Sequence, residues 1–565
     1  MVVSELVRTL LRKRGVENDD DIQAFLSPDY DAHTHDPFLL KDMDVAVGRI
    51  FDAMDRGERI AIYADFDCDG IPGASVLHDL FKKIGYDNFE VYLPHRDREG
   101  YGFHEAAIKE LAARDVKLII TVDVGTKATT SVAYANTLGV DVIVTDHHEI
   151  EGELPPAFAL LNPKIAPYPF SGLCGAGVAF KLAQAVLSEG RKRSQTASGR
   201  SLTAFSAIPL GWEKWLLDLV AIATVADLVP LVGENRALVY WGLQVLRKTP
   251  RPGINALVNK LRLRKADIDE SDIGFSFAPR INAASRMDSP ELALRLLTTT
   301  DRAEAEGLAD QLESLNASRK GVVAGIVKEA KKRARERFTE NDLVVVLGNP
   351  DWKPSLLGLA ANSIVEEHGG VALLWGRDAN GKIKGSARSD GSMSVVELFA
   401  KAADSFEEYG GHHASGGFSV AADKIHTLPA DLARAAAALA AESTQQVVEI
   451  PSSDALVTLR EISTVLHREI SALAPFGMGN PKPIFRISRA RVVAVKRFGK
   501  EKNHTEVSLI SPESFSPQRA FQFFKAPENF SCLPVFDAEV DVLATLERDT
   551  FRGGIALRIV DILAS

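Results

Sequence analysis

Cysteine is scarce in this chain: 565 residues hold three, Cys68, Cys174 and Cys532. They lie far apart and are odd in number, which excludes a disulfide framework and suits a reducing compartment such as the cytoplasm. Long apolar runs are also missing. No stretch of about 18 uncharged apolar residues offers a membrane span, and the N-terminus, with Glu5 and no small-residue cleavage site, does not read as a signal peptide. An excess of positive charge is absent too. Lys and Arg number 66 against 76 Asp and Glu, a net charge of −10 that would disfavour a nucleic-acid partner if the charge were evenly spread. What remains is 46% hydrophobic and 25% charged residues, an ordinary globular composition. The length allows roughly three or four domains.

The charge is not evenly spread. Between Arg319 and Arg337 eight Lys and Arg face two Glu. Arg191-Lys192-Arg193, with Arg200 beyond, forms a second basic run. A third holds Arg486, Arg489, Arg491, Lys496, Arg497, Lys500 and Lys502 near Phe498. Each alone reads as a solvated face; together they suggest an electrostatic track.

The acids gather at the ends of apolar runs. Ile60-Ala61-Ile62-Tyr63-Ala64 leads into Asp65-Phe66-Asp67-Cys68-Asp69-Gly70, three aspartates two residues apart. An extended chain would put all three on one face. Aspartate is depleted in strands, and gathered anions are costly without a cation, so a hard divalent ion is the better explanation. Cys68 would point to the opposite face and reads as structural. Leu118 to Val122 ends on Asp123, and Val140 to Thr145 ends on Asp146-His147-His148. Helical patterns at Ala74–Ile84, His104–Ala113 and Thr129–Leu138 intervene. Strands alternating with helices imply a parallel sheet covered on both faces, with ligands beyond the carboxyl ends of the strands. One rim should therefore collect Asp67, Asp69, Asp123, His147 and His148. Asp227 ends the apolar run from Leu216 and would be an unpaired charge in a core, so it joins the candidate ligands.

Asp-x-Asp-x-Asp-Gly, Val-Asp-x-Gly, Asp-His-His and Val-Ala-Asp, in this order, resemble the four motifs of the DHH phosphoesterases. Four further stretches resemble their RecJ-type single-stranded-DNA exonuclease branch: Pro94 to Gly102, Ala278 to Met287, the pair Gly385–Ser389 and Gly410–Phe418, and Ala474 to Pro481. The likeness runs from about residue 1 to 565. It implies Asp67, Asp69, Asp123, His147 and Asp227 as ligands, with Asp65 a further candidate and His148 turned to the phosphate or leaving group. Two ions, Mn²⁺ or Mg²⁺, sharing Asp123 would activate water and stabilise the departing 3′-oxygen; the imidazole ligand tilts the choice towards Mn²⁺. The likeness also implies a grip on the 5′-terminal phosphate by Arg96, Arg280, Ser386 and Arg388, with His412 and His413 near it. One departure stands out: Trp352-Lys353-Pro354-Ser355 where the family usually shows Trp-His-x-Gly.

The expected organisation is α/β throughout, with two parallel-sheet domains joined by a long helix and an OB-like barrel at the end. Residues 1–40 read as a helical lead and 41–235 as the metal-binding domain, interrupted by a mobile loop from Glu189 to Ser206. Residues 236–340 read as a helical linker, with one long helix weakened near Gly321. The DHHA1-type domain follows over 341–444 and the nucleic-acid-binding barrel over 445–565. The implied activity is 5′-to-3′ hydrolysis of single-stranded DNA in repair and recombination. It would be carried out by a monomer in the cytoplasm, with single-strand-binding protein or a helicase as possible partners and no membrane. The alternative is a DHH phosphodiesterase for short oligoribonucleotides or cyclic dinucleotides.

Overall fold

The computed structural model describes residues 3–196, 200–339, 341–442, 452–499, 502–512, 516–549 and 553–565. The chain divides into two compact units. One comprises residues 36–229 and 241–447; the other comprises 1–35, 230–240 and 448–565.

The larger unit contains two α/β domains. In the first, β1 (Arg59–Ala64), β2 (Phe89–Tyr92), β3 (Val116–Val122), β4 (Asp141–Thr145) and β5 (Ala159–Leu161) form a parallel sheet in the order β2-β1-β3-β4-β5. β1, β3 and β4 are almost wholly buried, as their unbroken apolar runs require when helices cover both faces. The helices Gly70–Ile84, Glu105–Ala113 and Thr129–Thr137 lie close to their expected spans.

The second domain departs from an all-parallel sheet. β6 (Val344–Gly348), β7 (Val371–Arg377), β8 (Ile383–Ser389), β9 (Glu408–His412) and β10 (Ser415–Val420) run in the order β6-β7-β8-β10-β9. Only β6 and β7 are parallel neighbours, because short turns reverse the chain between β7 and β8 and between β9 and β10, and β10 pairs antiparallel with both β8 and β9. The helix Arg302–Arg337 joins the domains without a break at Gly321. Packing of Leu308, Leu312, Ile326 and Ala330 outweighs the propensity cost of one glycine, about 1 kcal/mol.

The loop expected from Glu189 to Ser206 is mostly helix. Gly175–Thr196 and Arg200–Ala207 are helical, and residues 197–199 lie outside the described set. Phe205 is the reason. It is fully buried, its ring 5.5 Å from Phe51, and Gly190 makes room for it, since a Cβ there would come within 2.1 Å of that ring. A polar composition concealed one aromatic anchor.

The smaller unit is a barrel. β12 (Phe485–Phe498), β13 (His504–Ile510), β14 (Gln518–Gln522), β16 (Ile555–Ala564) and β15 (Glu539–Arg548) close on each other through the β12–β15 pairing, and the short β11 (Ala455–Leu456) flanks β12. The N-terminal lead belongs to this core. Val7, Leu10, Leu11, Ile22 and Leu26, from helices capped by Ser4 and Asn18, pack with Val492, Leu509 and Ile559. No helix among the described residues is long and apolar enough to cross a membrane.

Candidate metal centre and phosphate cleft

β1 stops at Ala64, so the aspartates are presented by a tight loop rather than by continued alternation along a strand. Asp67 Oδ1 accepts from the backbone amides of Asp69 at 2.8 Å and Gly70 at 3.1 Å, which tucks the loop onto the start of the next helix. Gly70 is required there, because a Cβ would lie 2.2 Å from the Asp65 carbonyl oxygen. The Asp69 carboxylate accepts from the amides of Gly175 at 2.6 Å and Ala176 at 2.8 Å, the first turn of another helix. Asp123 follows β3 in a left-handed conformation, φ 60°, uncommon for a residue with a side chain. Gly175 permits its approach, since a Cβ would sit 2.5 Å from that of Asp123. Asp227 ends the buried helix Leu217–Ala226.

These groups converge. His147 Nε2 lies 3.2 Å from Asp123 Oδ1, 3.6 Å from Asp69 Oδ2 and 3.7 Å from Asp227 Oδ2. Asp65, Asp67 and Asp123 bring ligand atoms within 4.8 Å of one another, as do Asp69, His147 and Asp227. Burial first, and neighbouring carboxylates second, push Asp65 up to about 8 and Asp227 up to about 9. Asp123 is raised by burial and then by Asp69. Three buried oxygens, Asp65 Oδ1, Asp123 Oδ1 and Asp227 Oδ2, have no hydrogen-bond partner. Carboxylate oxygens left bare in a dry, mutually repelling cluster are what divalent cations would satisfy, so the donors fit two Mn²⁺ or Mg²⁺.

The histidines differ. Burial lowers the pKa of His147, keeping a ring nitrogen free to ligate. For His148 burial acts downward, but the hydrogen bond to Asp146 at 2.7 Å outweighs it and the pKa rises. Asp146 also accepts from the amides of Thr126 and His147. Burial would raise Asp146, yet the His148 bond and these amides hold it below the usual carboxylate range. Its positioning role was missed in the sequence although Asp146 stands inside the Asp-His-His motif. Tyr101 was missed as well; its hydroxyl lies 3.3 Å from His148 Nδ1 and from the Asp123 carbonyl oxygen. Cys68 is buried, and its amide donates to Asn282 Oδ1 at 3.0 Å, which ties the loop to the helix Ala278–Met287.

A cavity of about 840 Å³ opens beside this centre, lined by Arg96, Tyr101 and His104 from the first domain and Ser355, Lys384 and Tyr409 from the second. Arg96 stacks 4.0 Å over Phe66 and donates from Nε to Ser285 Oγ at 3.2 Å. Burial pushes Arg286 down to about 9, helped by the nearby guanidinium groups of Arg96, Arg319 and Arg388. Arg388 donates to the Ala387 carbonyl, and Gly358 makes room for it. Ser386 and Arg388 lie on β8 opposite Gly417 and Ser415 of β10. Several guanidinium groups brought together without carboxylate partners favour an anion.

Arg280 sits differently. Its Nε donates to Glu313 at 2.8 Å and its Nη1 to the carbonyls of Phe275 and Ser276, so its donors are engaged within the fold. Arg286, in the same sequence stretch, occupies the cluster instead. His412 and His413 lie exposed at the β9–β10 turn, and the charge of His412 is felt by Glu149, next to the metal centre.

The basic runs are neutralised in part. Lys331 and Arg335 pair with Glu367, Arg333 with Glu329, Arg191 with Glu213 and Arg193 with Glu189. On the barrel, Arg486, Arg489, Arg491 and Arg497 pair with Asp541, Glu539, Asp537 and Glu528. Lys500 and the Arg200 side chain lie outside the described residues. What the barrel offers instead is aromatic. His504 lies 5.1 Å from Phe498 and 4.7 Å from the exposed Phe524, and Arg558 stands 4.4 Å over Phe523.

Comparison with known proteins matches three parts of the chain: residues 59–224 to the DHH family, N-terminal domain, residues 340–441 to the DHHA1 domain and residues 453–561 to the RecJ OB domain. Single-stranded-DNA-specific exonuclease RecJ of Bacillus subtilis is 35% identical over 91% of this chain, which spans 62% of that protein's length. The Haemophilus influenzae protein of the same name is 30% identical, with 89% of this chain and 86% of that one covered. Among solved structures, RecJ from Thermus thermophilus in complex with Mn²⁺ superposes with a TM-score of 0.79 at 28% identity, covering all of this chain and 76% of that one. The Mg²⁺ complex gives 0.75 at 27% identity.

Proposed function

The chain belongs to the RecJ family of single-stranded-DNA-specific exonucleases, and we propose that it removes nucleotides from the 5′ end of single-stranded DNA at the Asp/His rim described above. The observation that carries this reading is the convergence of Asp123 and Asp227 oxygens on His147, with bare, buried Asp65 grouped on the same Asp123, beside a cluster of arginines. When bound, two divalent ions would supply Lewis acidity and a nucleophilic water at neutral pH.

The residues do the rest. Asp67 and Asp69 are held by backbone amides, so both arrive pre-oriented. Asp123 faces both groups of donors and suits a shared ligand. His148, kept protonated to higher pH by Asp146, stands where it can donate to a phosphate oxygen or the leaving 3′-oxygen. Tyr101 supports that ring. Arg96, Arg286 and Arg388 suit a bidentate grip on the terminal phosphate, with Ser386 as a hydroxyl donor. Because Arg280 is committed to Glu313, we assign it to holding the linker rather than to the phosphate.

The barrel's rings and Arg558 suit stacking with splayed bases, which only a single strand presents. We place the reaction in the cytoplasm, carried out by a monomer on strands supplied by a helicase or coated by single-strand-binding protein. The free thiols Cys68, Cys174 and Cys532 suit a reducing compartment.

The test is release of nucleotides from long single-stranded DNA labelled at either end, with Mn²⁺ or with a chelator, against duplex and dinucleotide controls. Release from the 3′ end, or faster turnover of dinucleotides than of long strands, would overturn the reading.

A further inference from the structure

Arg96 is followed at once by an acid, Asp97. That neighbour is a difficulty for a phosphate site. A carboxylate next to the gripping guanidinium competes for it and repels the incoming anion. Asp97 is indeed one of the charges that Arg96 feels. Yet among the described residues Arg96 makes no ion pair; its Nε goes to Ser285 and its guanidinium lies on Phe66. The Asp97 carboxylate is held elsewhere, 2.9 Å from Lys353 Nζ of the second α/β domain. Two residues on, Ser355 exchanges hydrogen bonds with Arg286: Arg286 Nη1 donates to the Ser355 carbonyl and Ser355 Oγ donates to the Arg286 carbonyl at 3.1 Å. Lys353 and Ser355 are the two positions at which the Trp352–Ser355 stretch departs from the family pattern.

We propose that Lys353 is a specificity-determining positioning residue: by holding and neutralising Asp97 it leaves the Arg96 guanidinium available to the 5′ phosphate. The inference rests on the 5′-phosphate reading above and adds to it how Asp97, the acid next to Arg96 in the chain and outside the metal centre, is neutralised. Lys353 need not touch the substrate. Its charge offsets that of Asp97, so the other anions felt by Arg96 are Asp65 and Asp67, which belong to the candidate metal centre. A partly solvated ion pair of this kind contributes little to folding, so its loss should appear in substrate recognition rather than in stability. An unmasked carboxylate near the phosphate, at an effective dielectric between that of protein and water, should weaken its binding about five- to tenfold.

The experiment is a double-mutant cycle on the full chain with Mn²⁺, measuring KM and kcat on one oligonucleotide with and without a 5′ phosphate. Lys353→Met should raise KM about five- to tenfold on the phosphorylated end while leaving kcat and the hydroxyl end nearly unchanged. Asp97→Asn alone should be close to silent, and the double variant should recover most of the loss. Lys353→Arg should behave as the wild type, which also guards against a Met variant that folds poorly; thermal melts report on that directly. Equal KM changes on both ends, or no recovery in the double variant, would overturn the proposal. If the wild type itself fails to distinguish the two ends, the 5′-phosphate reading falls and takes this one with it. A wild type that discriminates, beside a Lys353→Met variant that discriminates equally well, overturns this inference alone.

Discussion

Replacing Asp123 by Asn removes one charge from the crowded rim while keeping a residue type that tolerates the left-handed backbone at φ 60°. Asp65, Asp67 and Asp123 hold ligand atoms within 4.8 Å of one another. Two unit charges at such a distance repel by about 3 kcal/mol at an effective dielectric near 20. With Asp65 raised to about 8 and Asp227 to about 9, both by burial first and neighbouring acids second, the metal-free site is partly protonated at neutral pH. The relief is then a fraction of that repulsion, about 1–2 kcal/mol, or a few degrees in melting temperature for a unit of this size. The pH dependence has a definite sign. A carboxyl raised above its unfolded value near 3.8 contributes stability that is complete below that value and lost as pH climbs through the folded value. The metal-free wild type should therefore lose stability from about pH 4 to about pH 9, and the advantage of Asp123→Asn should be widest at the alkaline end. Excess Mn²⁺ should reverse the order, because only the wild type keeps the full ligand set. Calorimetric melts in chelator and in Mn²⁺, beside nucleotide-release assays, measure both. A variant less stable than the wild type in chelator at about pH 9 would refute the reasoning. So would one that retains more than a few per cent of activity at saturating Mn²⁺.

Arg286→Ala and Arg388→Ala should each raise KM on 5′-phosphorylated strands about 10- to 100-fold, the loss of one charge-assisted contact. Arg280→Ala should instead lower the melting temperature without favouring either end, since it loses Glu313 and two carbonyl contacts; an end-selective KM change would return it to the phosphate site. Asp146→Asn should cut turnover about 10- to 100-fold by releasing the His148 ring, and an unchanged rate at saturating Mn²⁺ would deny it that role. Phe523→Ala with Phe524→Ala should weaken binding of long oligonucleotides by about 1–3 kcal/mol per stacked base and spare hydrolysis of very short ones. Unaltered anisotropy titrations would mean that the barrel face serves a protein partner. These substitutions are cleaner than deleting residues 446–565, which would strip the N-terminal helices of the core they share with the barrel.

The first domain was legible because fully buried parallel strands must be written as unbroken apolar runs, so their ends announce themselves when Asp123 and Asp146 appear. The loop that carries Asp67 and Asp69 was legible as chemistry but not as shape. Its turn is set by amides of Gly70, Gly175 and Ala176, two of them more than a hundred residues away. The surroundings of the basic runs were hidden for a related reason. A charge count along the chain does not see that Glu367 and Glu329 meet Lys331, Arg333 and Arg335 of the linker, or that each barrel arginine from Arg486 to Arg497 has an acid on a neighbouring strand or loop.

The choice between Arg280 and Arg286 shows where sequence reading stops and what would have extended it. Six residues are about one and two-thirds helical turns, so the two arginines leave the helix Ala278–Met287 on different faces. Only one face can meet the metal loop. Asn282 identifies it by accepting from the Cys68 amide, and Arg286, four residues on, shares that face while Arg280 does not. An asparagine in that stretch is therefore the informative residue, because a buried loop amide beside the metal ligands needs an acceptor and no carboxylate there is spare. Asn282→Ala should accordingly weaken Mn²⁺ binding by loosening the Asp67–Asp69 loop and at the same time raise KM for phosphorylated ends by shifting Arg286. An effect on one of these measurements without the other would mean that the two sites are not coupled through this helix.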